Sequence, residues 1–282
     1  MGIFEQALRR ASVSPEVEEA VDAAPNRVNE FGYDPWGFSP SFAKIGYTIA
    51  KRTLLPWFRP EVHGIEHVPS GRVLLIANHS GQLPFDGVVI ALVMMLHGKP
   101  PRAIRAMVER AFPSMPFVNE VMMRGGAVLG DPVNCRNLLE DDQAILVFPE
   151  GARGGGKLWK NRYQLQAFGR GFMRLALQTK TPIVPVSVVG GEESIISVYN
   201  AKRLAKLLGM PYVPISPLLP VLGPLALAPM PVKFHVRFGA PLHFEGPPDD
   251  EDTRIDDKVE RVKDAIRAQI ATDRATRKGI FR

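Results

Sequence analysis

Short apolar runs alternate with longer segments of helical character through the middle of the chain. The strand-like runs are RVLLIAN (72–78), GGAVLG (125–130), AILVFPEG (144–151) and PIVPVSVVG (182–190). The helix-like segments are GVVIALVMMLHG (87–98), DPVNCRNLLEDD (131–142) and FGRGFMRLALQT (168–179). Strands that alternate with helices predict an α/β fold, a single domain in which helices flank a mostly parallel sheet.

The first 60 residues have a different character. Residues 1–35 are polar and mixed, which predicts a loosely ordered N-terminal arm. Residues 36–60 are predicted to form an amphipathic helix, in which Phe42, Ile45 and Ile49 fall on one stripe. Basic residues next to tryptophan and phenylalanine favour a helix lying in a membrane interface. The alternative is a helix packed on the core of the protein itself.

Residues 61–275 are assigned to one α/β domain that includes a C-terminal helix. Within it, residues 207–232 are apolar but contain seven prolines, which exclude a membrane-spanning helix. This proline-rich tract either folds over the core or contacts lipid. VKFHVRFG (232–239) alternates like an edge strand. The last helix is predicted from a single buried stripe, Ile255, Val259, Val262, Ile266 and Ile270.

Composition and charge narrow the class of partner. The net charge of +6 favours anionic partners such as phospholipid headgroups. The basic residues form no dense block, so nucleic acid is not expected as a partner. A single cysteine, Cys135, excludes an internal disulfide. No secretory signal is recognised, and the longest apolar run, 87–96, is half of a membrane span. We therefore expect a cytoplasmic protein that associates peripherally with the membrane.

A histidine and an aspartate flank the loop NHSGQLPFDG, which follows the first buried run. An imidazole is the usual general base near neutral pH, and a carboxylate on its other nitrogen fixes the tautomer. Ligands of open α/β sheets bind at the carboxyl ends of the strands, where His79 is placed. The alternatives are a surface histidine at position 79 and a simple helix cap at Asp86.

A second polar cluster, FPEGARGGGK (148–157), follows the run AILV. Arg153 could bind phosphate or carboxylate through a forked contact, and Lys157 could add a point charge. The glycines would let backbone amides approach an anion. The alternative is a flexible, solvated loop. The spacing does not match a P-loop.

Taken together, NHSGQLPFDG, FPEGARG and PIVPVSVVG resemble the glycerophospholipid acyltransferases of the lysophosphatidate acyltransferase type. The resemblance covers about residues 62–190. It implies that His79 acts as general base on a lipid hydroxyl and that Asp86 holds it. The acyl donor would be an acyl thioester, acyl-CoA or acyl-ACP, with no metal or redox cofactor. The resemblance assigns substrate binding to Phe148, Pro149, Glu150, Gly151 and Arg153.

The sequence departs from the family pattern at two points. Six residues separate His79 from Asp86 where the family usually has four. GDPVN stands where the family often has an arginine for the acceptor phosphate. These departures keep open a lipid-binding or tethering protein that has the same fold without catalysis. A serine esterase that uses Ser80 is a weaker alternative, because no GxSxG motif is present.

Overall fold

The computed structural model describes residues 13–80, 83–109, 118–207 and 212–282. Part of the predicted arm, two residues of the His79 loop and the start of the proline-rich tract lie outside these ranges. The helices are α1 (Pro15–Ala23), α2 (Pro40–Phe58), α3 (Phe85–His97), α4 (Val118–Arg124), α5 (Pro132–Glu140), α6 (Ala152–Gly155), α7 (Gly171–Thr179), α8 (Gly191–Ser194), α9 (Lys202–Leu207), α10 (Leu219–Leu222) and α11 (Asp252–Thr276). The strands are β1 (Glu61–His63), β2 (Val73–Ala77), β3 (Ile104–Val108), β4 (Val128–Leu129), β5 (Ala144–Val147), β6 (Ile183–Val189), β7 (Tyr199–Asn200), β8 (Pro214–Ile215) and β9 (His235–Phe238). Three short 3-10 helices lie at Ile65–His67, Trp159–Asn161 and Gly223–Leu227.

In the described ranges, seven strands form one sheet in the order β1-β9-β6-β2-β5-β3-β4. Every pairing in it is parallel except that of β6 with β9. The remaining strands, β7 and β8, form a separate antiparallel ribbon. The prediction of an α/β domain with a mostly parallel sheet is confirmed.

Strand β2 lies at the centre of the sheet, and all five of its residues are buried. Its side chains alternate between two cores, as the period of a strand requires. Leu74 and Ile76 pack with α5, α7 and α11, whereas Val73 and Leu75 pack with α3. Because helices cover both faces, the strand is apolar throughout.

The strongest helix predictions are also confirmed. Helix α11 buries the predicted stripe of five aliphatic residues. Helix α5 begins with Pro132, and the Asp131 side chain accepts a hydrogen bond from the backbone N–H of Val133. This is the N-cap geometry that the sequence predicts.

The prediction that 232–239 is an edge strand is wrong. Strand β9 lies inside the sheet, between β6 and β1. The outer position belongs to β1, in which Glu61, Val62 and His63 pair with β9 in parallel register. Three residues with one apolar side chain are too short a pattern to indicate a strand, so β1 was not predicted.

The described part of the predicted loose arm is ordered, which corrects the assignment for residues 13–35, and residues 1–12 lie outside the described ranges. Helix α1 packs against α2 and α3 through Val17 and Val21, which are fully buried. Its acidic face pairs with basic residues of α2, including Lys44, whose Nζ lies 2.8 Å from Asp22 Oδ2. Two valines in a polar helix give a stripe too narrow to predict burial.

Helix α2 packs on the core of the protein, as one of the two alternatives drawn from its sequence expected. One face, which includes Ala43, Tyr47 and Ala50, packs on the core. The predicted stripe lies elsewhere on the helix, and its members Ile45 and Ile49 are exposed to solvent. The helix therefore contributes to the fold while presenting apolar side chains outward.

The proline-rich tract folds back onto the domain beside the end of α2. Trp57 Nε1 donates a hydrogen bond to the carbonyl of Pro229 at 3.0 Å. The tract nevertheless leaves Val221 82% and Leu225 72% exposed. None of the helices in the described ranges combines the length and hydropathy that a membrane span requires.

Candidate active site

The end of β2 is fixed to the neighbouring strand just before the candidate base. Asn78 is fully buried, and its side-chain amide makes two hydrogen bonds to the backbone of Val188 in β6. The Val188 N–H donates at 2.8 Å, and the Asn78 Nδ2 donates to the Val188 carbonyl at 3.1 Å. His79 therefore leaves the sheet at a defined position on its carboxyl edge.

His79 and Asp86 are in direct contact despite the six residues between them. The Nδ1 atom of His79 lies 2.8 Å from Asp86 Oδ2. The same carboxylate accepts from the Ser80 and Gly87 N–H groups, each at 2.8 Å. An ionised carboxylate only accepts, so Nδ1 carries the proton and Nε2 keeps a free lone pair.

Asp86 does not cap the helix that follows, as one alternative suggested. Pro84 occupies the N-cap position of α3, and Asp86 lies in the first turn. Its side chain is 0% exposed, whereas that of His79 is 16% exposed. The carboxylate is thus enclosed by protein, and the imidazole still reaches the surface of the site.

Opposing effects act on the protonation of His79. Burial disfavours the imidazolium, and the ammonium of Lys157 acts in the same direction. The carboxylates of Asp86 and Glu150 outweigh them, so the pKa of His79 lies above its ordinary value. The neutral form of His79 is therefore a stronger base than an ordinary imidazole.

The FPEG loop meets His79 because β5 is the parallel neighbour of β2. The ring of Phe148 stacks on the imidazole, with centroids 4.6 Å apart and planes inclined by 29°. Pro149 accepts a hydrogen bond from the Gly169 N–H through its carbonyl. Phe148 therefore holds one face of the imidazole, and Pro149 ties the loop to the chain before α7.

Glu150 is buried beneath the backbone of His79 and is 1% exposed. Its Oε1 accepts from the backbone N–H of His79 at 3.0 Å, and its Oε2 accepts from the Gln166 N–H at 2.7 Å. Both oxygens are engaged by the protein. These contacts favour a structural role, in place of the substrate binding that the family resemblance implies.

Gly151 and Arg153 lie at the outer side of the same loop. Gly151 has φ = 56°, and a Cβ there would lie 2.7 Å from Glu109 Oε1. The Glu109 carboxylate accepts from the Ala152 N–H at 2.7 Å. Arg153 is exposed and donates to the carbonyl of Ala167. Of the five predicted substrate-binding residues, Arg153 is the one whose charge faces solvent.

The glycine run after Arg153 packs against the candidate base, which excludes a freely solvated loop. Gly154 and Gly155 are buried. A Cβ on Gly154 would lie 2.8 Å from the Cβ of His79, and one on Gly155 would lie 3.0 Å from His79 Nε2. Because Gly154 and Gly155 have no side chains, α6 can approach the imidazole of His79.

The sequence analysis did not identify Tyr212 as a site residue. Its hydroxyl lies 2.6 Å from the position of a Cβ on Gly155, so it approaches the same point as His79 Nε2. Burial and the carboxylates of Asp86 and Glu109 raise the pKa of this phenol, which keeps it protonated. Tyr212 belongs to the proline-rich tract and precedes β8. The ribbon of β7 and β8 is tied to the end of α6, because Asn200 of β7 donates a hydrogen bond to the carbonyl of Gly156.

Ser80 is not arranged as a nucleophile. Within the part of the chain that the structure describes, its Oγ is buried and makes no hydrogen bond. A serine nucleophile requires a base within hydrogen-bond reach. The geometry thus disfavours the serine esterase reading.

This chain is similar to known proteins in family, in sequence and in structure. A family model described as Acyltransferase matches residues 59–189. Uncharacterized proteins of Mycobacterium leprae and Mycobacterium tuberculosis are 36% and 34% identical to this chain. The alignments cover 90% and 89% of this chain and 70% and 72% of the relatives.

More distant similarities extend to animals and to a solved structure. A Mus musculus protein named DGAT1/2-independent enzyme synthesizing storage lipids is 26% identical, over 76% of this chain and 60% of its own length. The crystal structure of the 1-acyl-sn-glycerophosphate (LPA) acyltransferase PlsC from Thermotoga maritima superposes with a TM-score of 0.54. The PlsC chain is 16% identical in sequence, and the match covers 85% of this chain and 83% of the PlsC chain. This match establishes that the two proteins have a similar fold.

Proposed function

Because this chain belongs to the acyltransferase family, we propose that it transfers a fatty acyl group from an acyl thioester to a hydroxyl of a lysophospholipid or related lipid. The observation that carries the proposal is the 2.8 Å contact between His79 Nδ1 and Asp86 Oδ2. It leaves Nε2 as a proton acceptor at the surface of the site.

In the proposed reaction, the acceptor hydroxyl attacks the thioester carbonyl carbon while His79 Nε2 takes its proton. A C–O bond forms, and the tetrahedral intermediate then collapses with cleavage of the C–S bond. The thiolate leaves with the electron pair, and the imidazolium returns its proton to that sulfur or to water. Asp86 stabilises the imidazolium in between.

Base catalysis supplies only part of the expected rate. A positioned general base contributes about 10²- to 10⁴-fold. Orientation of the two substrates and stabilisation of the oxyanion supply the remainder. The protonated phenol of Tyr212 approaches the reacting region and is chemically suited to donate a hydrogen bond there.

Both charged and neutral lipids are candidate acceptors. The arginine that the family often uses for the acceptor phosphate is replaced by GDPVN. A relative named for the synthesis of storage lipids supports including neutral lipid alcohols. We therefore place monoacylglycerol and diacylglycerol next to lysophosphatidate and other lysophospholipids as candidate acceptors.

We further propose that the protein binds the membrane surface peripherally. The docking surface would consist of Ile45 and Ile49 on α2, Trp57 at its end, and Val221 and Leu225 on the proline-rich tract. All five side chains are exposed. Apolar side chains on a protein of net charge +6 suit an anionic lipid surface.

The decisive experiment incubates the purified protein with labelled acyl-CoA or acyl-ACP and each acceptor, and identifies the acylated lipid. Acceptor-dependent release of thiol is measured in parallel. We expect wild-type protein to form product and His79→Ala to form none while retaining the wild-type circular dichroism spectrum. Wild-type turnover in His79→Ala would refute the assignment. Absence of turnover with every donor and acceptor would favour the catalytically inactive lipid-binding alternative.

A further inference from the structure

A buried cluster of three charged side chains lies behind His79. Lys157 Nζ is 2.6 Å from Glu192 Oε1 and 3.4 Å from Glu150 Oε2. The three residues are 8%, 6% and 1% exposed, respectively. Glu192 also accepts from the backbone N–H of Tyr163. Glu150 and Lys157 flank α6, and Glu192 lies in α8, so the cluster connects the segments that follow β5 and β6 at the carboxyl edge of the sheet.

Glu150 connects this cluster to the backbone of His79, the candidate base. It holds the His79 N–H with one oxygen and the Gln166 N–H with the other. An ionised carboxylate accepts through both oxygens, whereas a protonated one carries a hydrogen on one oxygen and accepts less strongly there. Neutralising Glu150 would therefore weaken one of these two contacts.

Lys157 supplies the counter-charge that this arrangement requires. Without its ammonium, two carboxylates would face each other out of contact with water, and one would bind a proton. Burial already raises the pKa of Glu192, an effect that Lys157 opposes. The cluster carries a net charge of about −1 when all three groups are ionised, which is the charge of Glu150 alone.

We propose that Lys157 and Glu192 are positioning residues of the acyl transfer reaction, which hold the Glu150 side chain in place and through it fix the backbone of His79. The inference rests on the proposed function for its kinetic consequence. Its structural content, the charge-dependent hydrogen bond from the His79 N–H to Glu150, can be measured without turnover.

The test uses three variants: Lys157→Met, Glu192→Gln and the double variant. Lys157→Met leaves two carboxylates without a cation, and adding Glu192→Gln restores the net charge of the cluster. We expect Lys157→Met to lower kcat by about 10- to 100-fold with little change in KM, because His79 is displaced. The double variant should recover at least about tenfold of that loss, in the manner of a coupled pair.

A spectroscopic measurement accompanies the kinetics. In protein labelled with ¹⁵N-histidine, six histidines contribute signals, and His79→Gln assigns that of position 79. We expect Lys157→Met to shift the His79 amide proton upfield as its bond to Glu150 weakens, and the double variant to return it. Lys44→Met is the matched control, since Lys44 of α2 pairs with Asp22 of α1 at 2.8 Å, outside the cluster. It should change neither readout.

The outcomes separate this inference from the proposed function. If no variant and no wild-type preparation turns over, the amide shift still decides whether the cluster holds His79. An unchanged amide shift in Lys157→Met, or a double variant no better than the single one, would overturn the inference. If Lys157→Met does not fold, Glu192→Gln alone must lower kcat without changing KM, and wild-type kcat would refute the proposal.

Discussion

Gly155 lies so close to His79 that a methyl group on the glycine would come within 3.0 Å of Nε2. The same methyl group would lie 2.6 Å from the Tyr212 hydroxyl. The space between the candidate base and the proline-rich tract is therefore kept open by the absence of a side chain. Gly155 thus contributes to the site by leaving room for the imidazole of His79 and the phenol of Tyr212.

Gly155→Ala should accordingly impair catalysis more than folding. The added methyl group would displace the imidazole or the phenol, and we expect kcat to fall by about 10- to 100-fold. Gly46→Ala is the control, because a Cβ at that position in α2 meets nothing within 4 Å. It should leave kcat unchanged and preserve or raise the thermal midpoint. Equal kcat values for the two variants would argue against the close approach at His79.

The pH dependence of kcat/KM should reflect the raised pKa of His79. Only the neutral imidazole acts as a base, so the rate falls as pH drops through that pKa. We expect the midpoint of the acid limb to lie above 6.5, the ordinary value for histidine. A midpoint at or below 6.5 would contradict the electrostatic role of the two carboxylates.

Asp86→Asn should change both the rate and the pH profile. Loss of the carboxylate removes the stabilisation of the imidazolium, so the acid limb should move to lower pH. We expect kcat to fall by about 10²- to 10⁴-fold, because the asparagine side chain no longer fixes the imidazole tautomer. Steady-state kinetics across pH measure both effects. Near-wild-type kcat would show that Asp86 does not orient His79.

Asp34 should be important for stability instead of catalysis. It is buried, accepts from the Trp36 and Phe38 N–H groups at 2.8 Å, and pairs with Arg105 of β3. Asp34→Ala leaves the Arg105 charge without its partner, which costs about 3–5 kcal/mol of unfolding free energy. Urea denaturation measures the loss.

The control for Asp34 is an ion pair at the surface. Asp22→Ala removes the exposed partner of Lys44 and should cost less than about 1 kcal/mol. Similar losses for the two variants would contradict the assignment of Asp34 as the buried anchor of the segment before α2.

Binding to anionic vesicles should depend on the proposed docking surface. Ile49→Asp combined with Leu225→Asp places two charges on exposed apolar positions and should abolish flotation with vesicles at low salt. Val133→Asp is the matched control, because Val133 is similarly exposed on α5, across the sheet. It should float as wild type does. Loss of flotation in the control, or wild-type flotation in the double variant, would count against this surface.

Local patterns were sufficient to predict much of the fold. The continuous apolar run of β2 and the stripe of α11 are long and regular, so burial of one face determines them. The three-residue strand β1 has no such pattern and is created by pairing with β9. Its presence changes β9 from an edge strand to an inner one, which no local signal could indicate.

The candidate site was predictable where its residues lie in loops after strands. His79 and Asp86 were found because a short loop carries both, and the structure brings them together. The positions of Glu150 and Tyr212 depend on contacts between segments far apart in sequence. Glu150 was assigned to substrate binding by the family resemblance, whereas in the structure it is buried and pairs with Lys157, which also pairs with Glu192.

The inner position of β9 also limits where the chain can be cut. The segment that matches the acyltransferase family model, 59–189, ends with β6 and contains neither β9 nor α11. A fragment with those limits would leave the seven residues of β6 with one unpaired side and would uncover the core beneath α11. The segment that carries the family motifs thus lacks the strand and the helix that complete its sheet and core, and we expect it not to fold on its own.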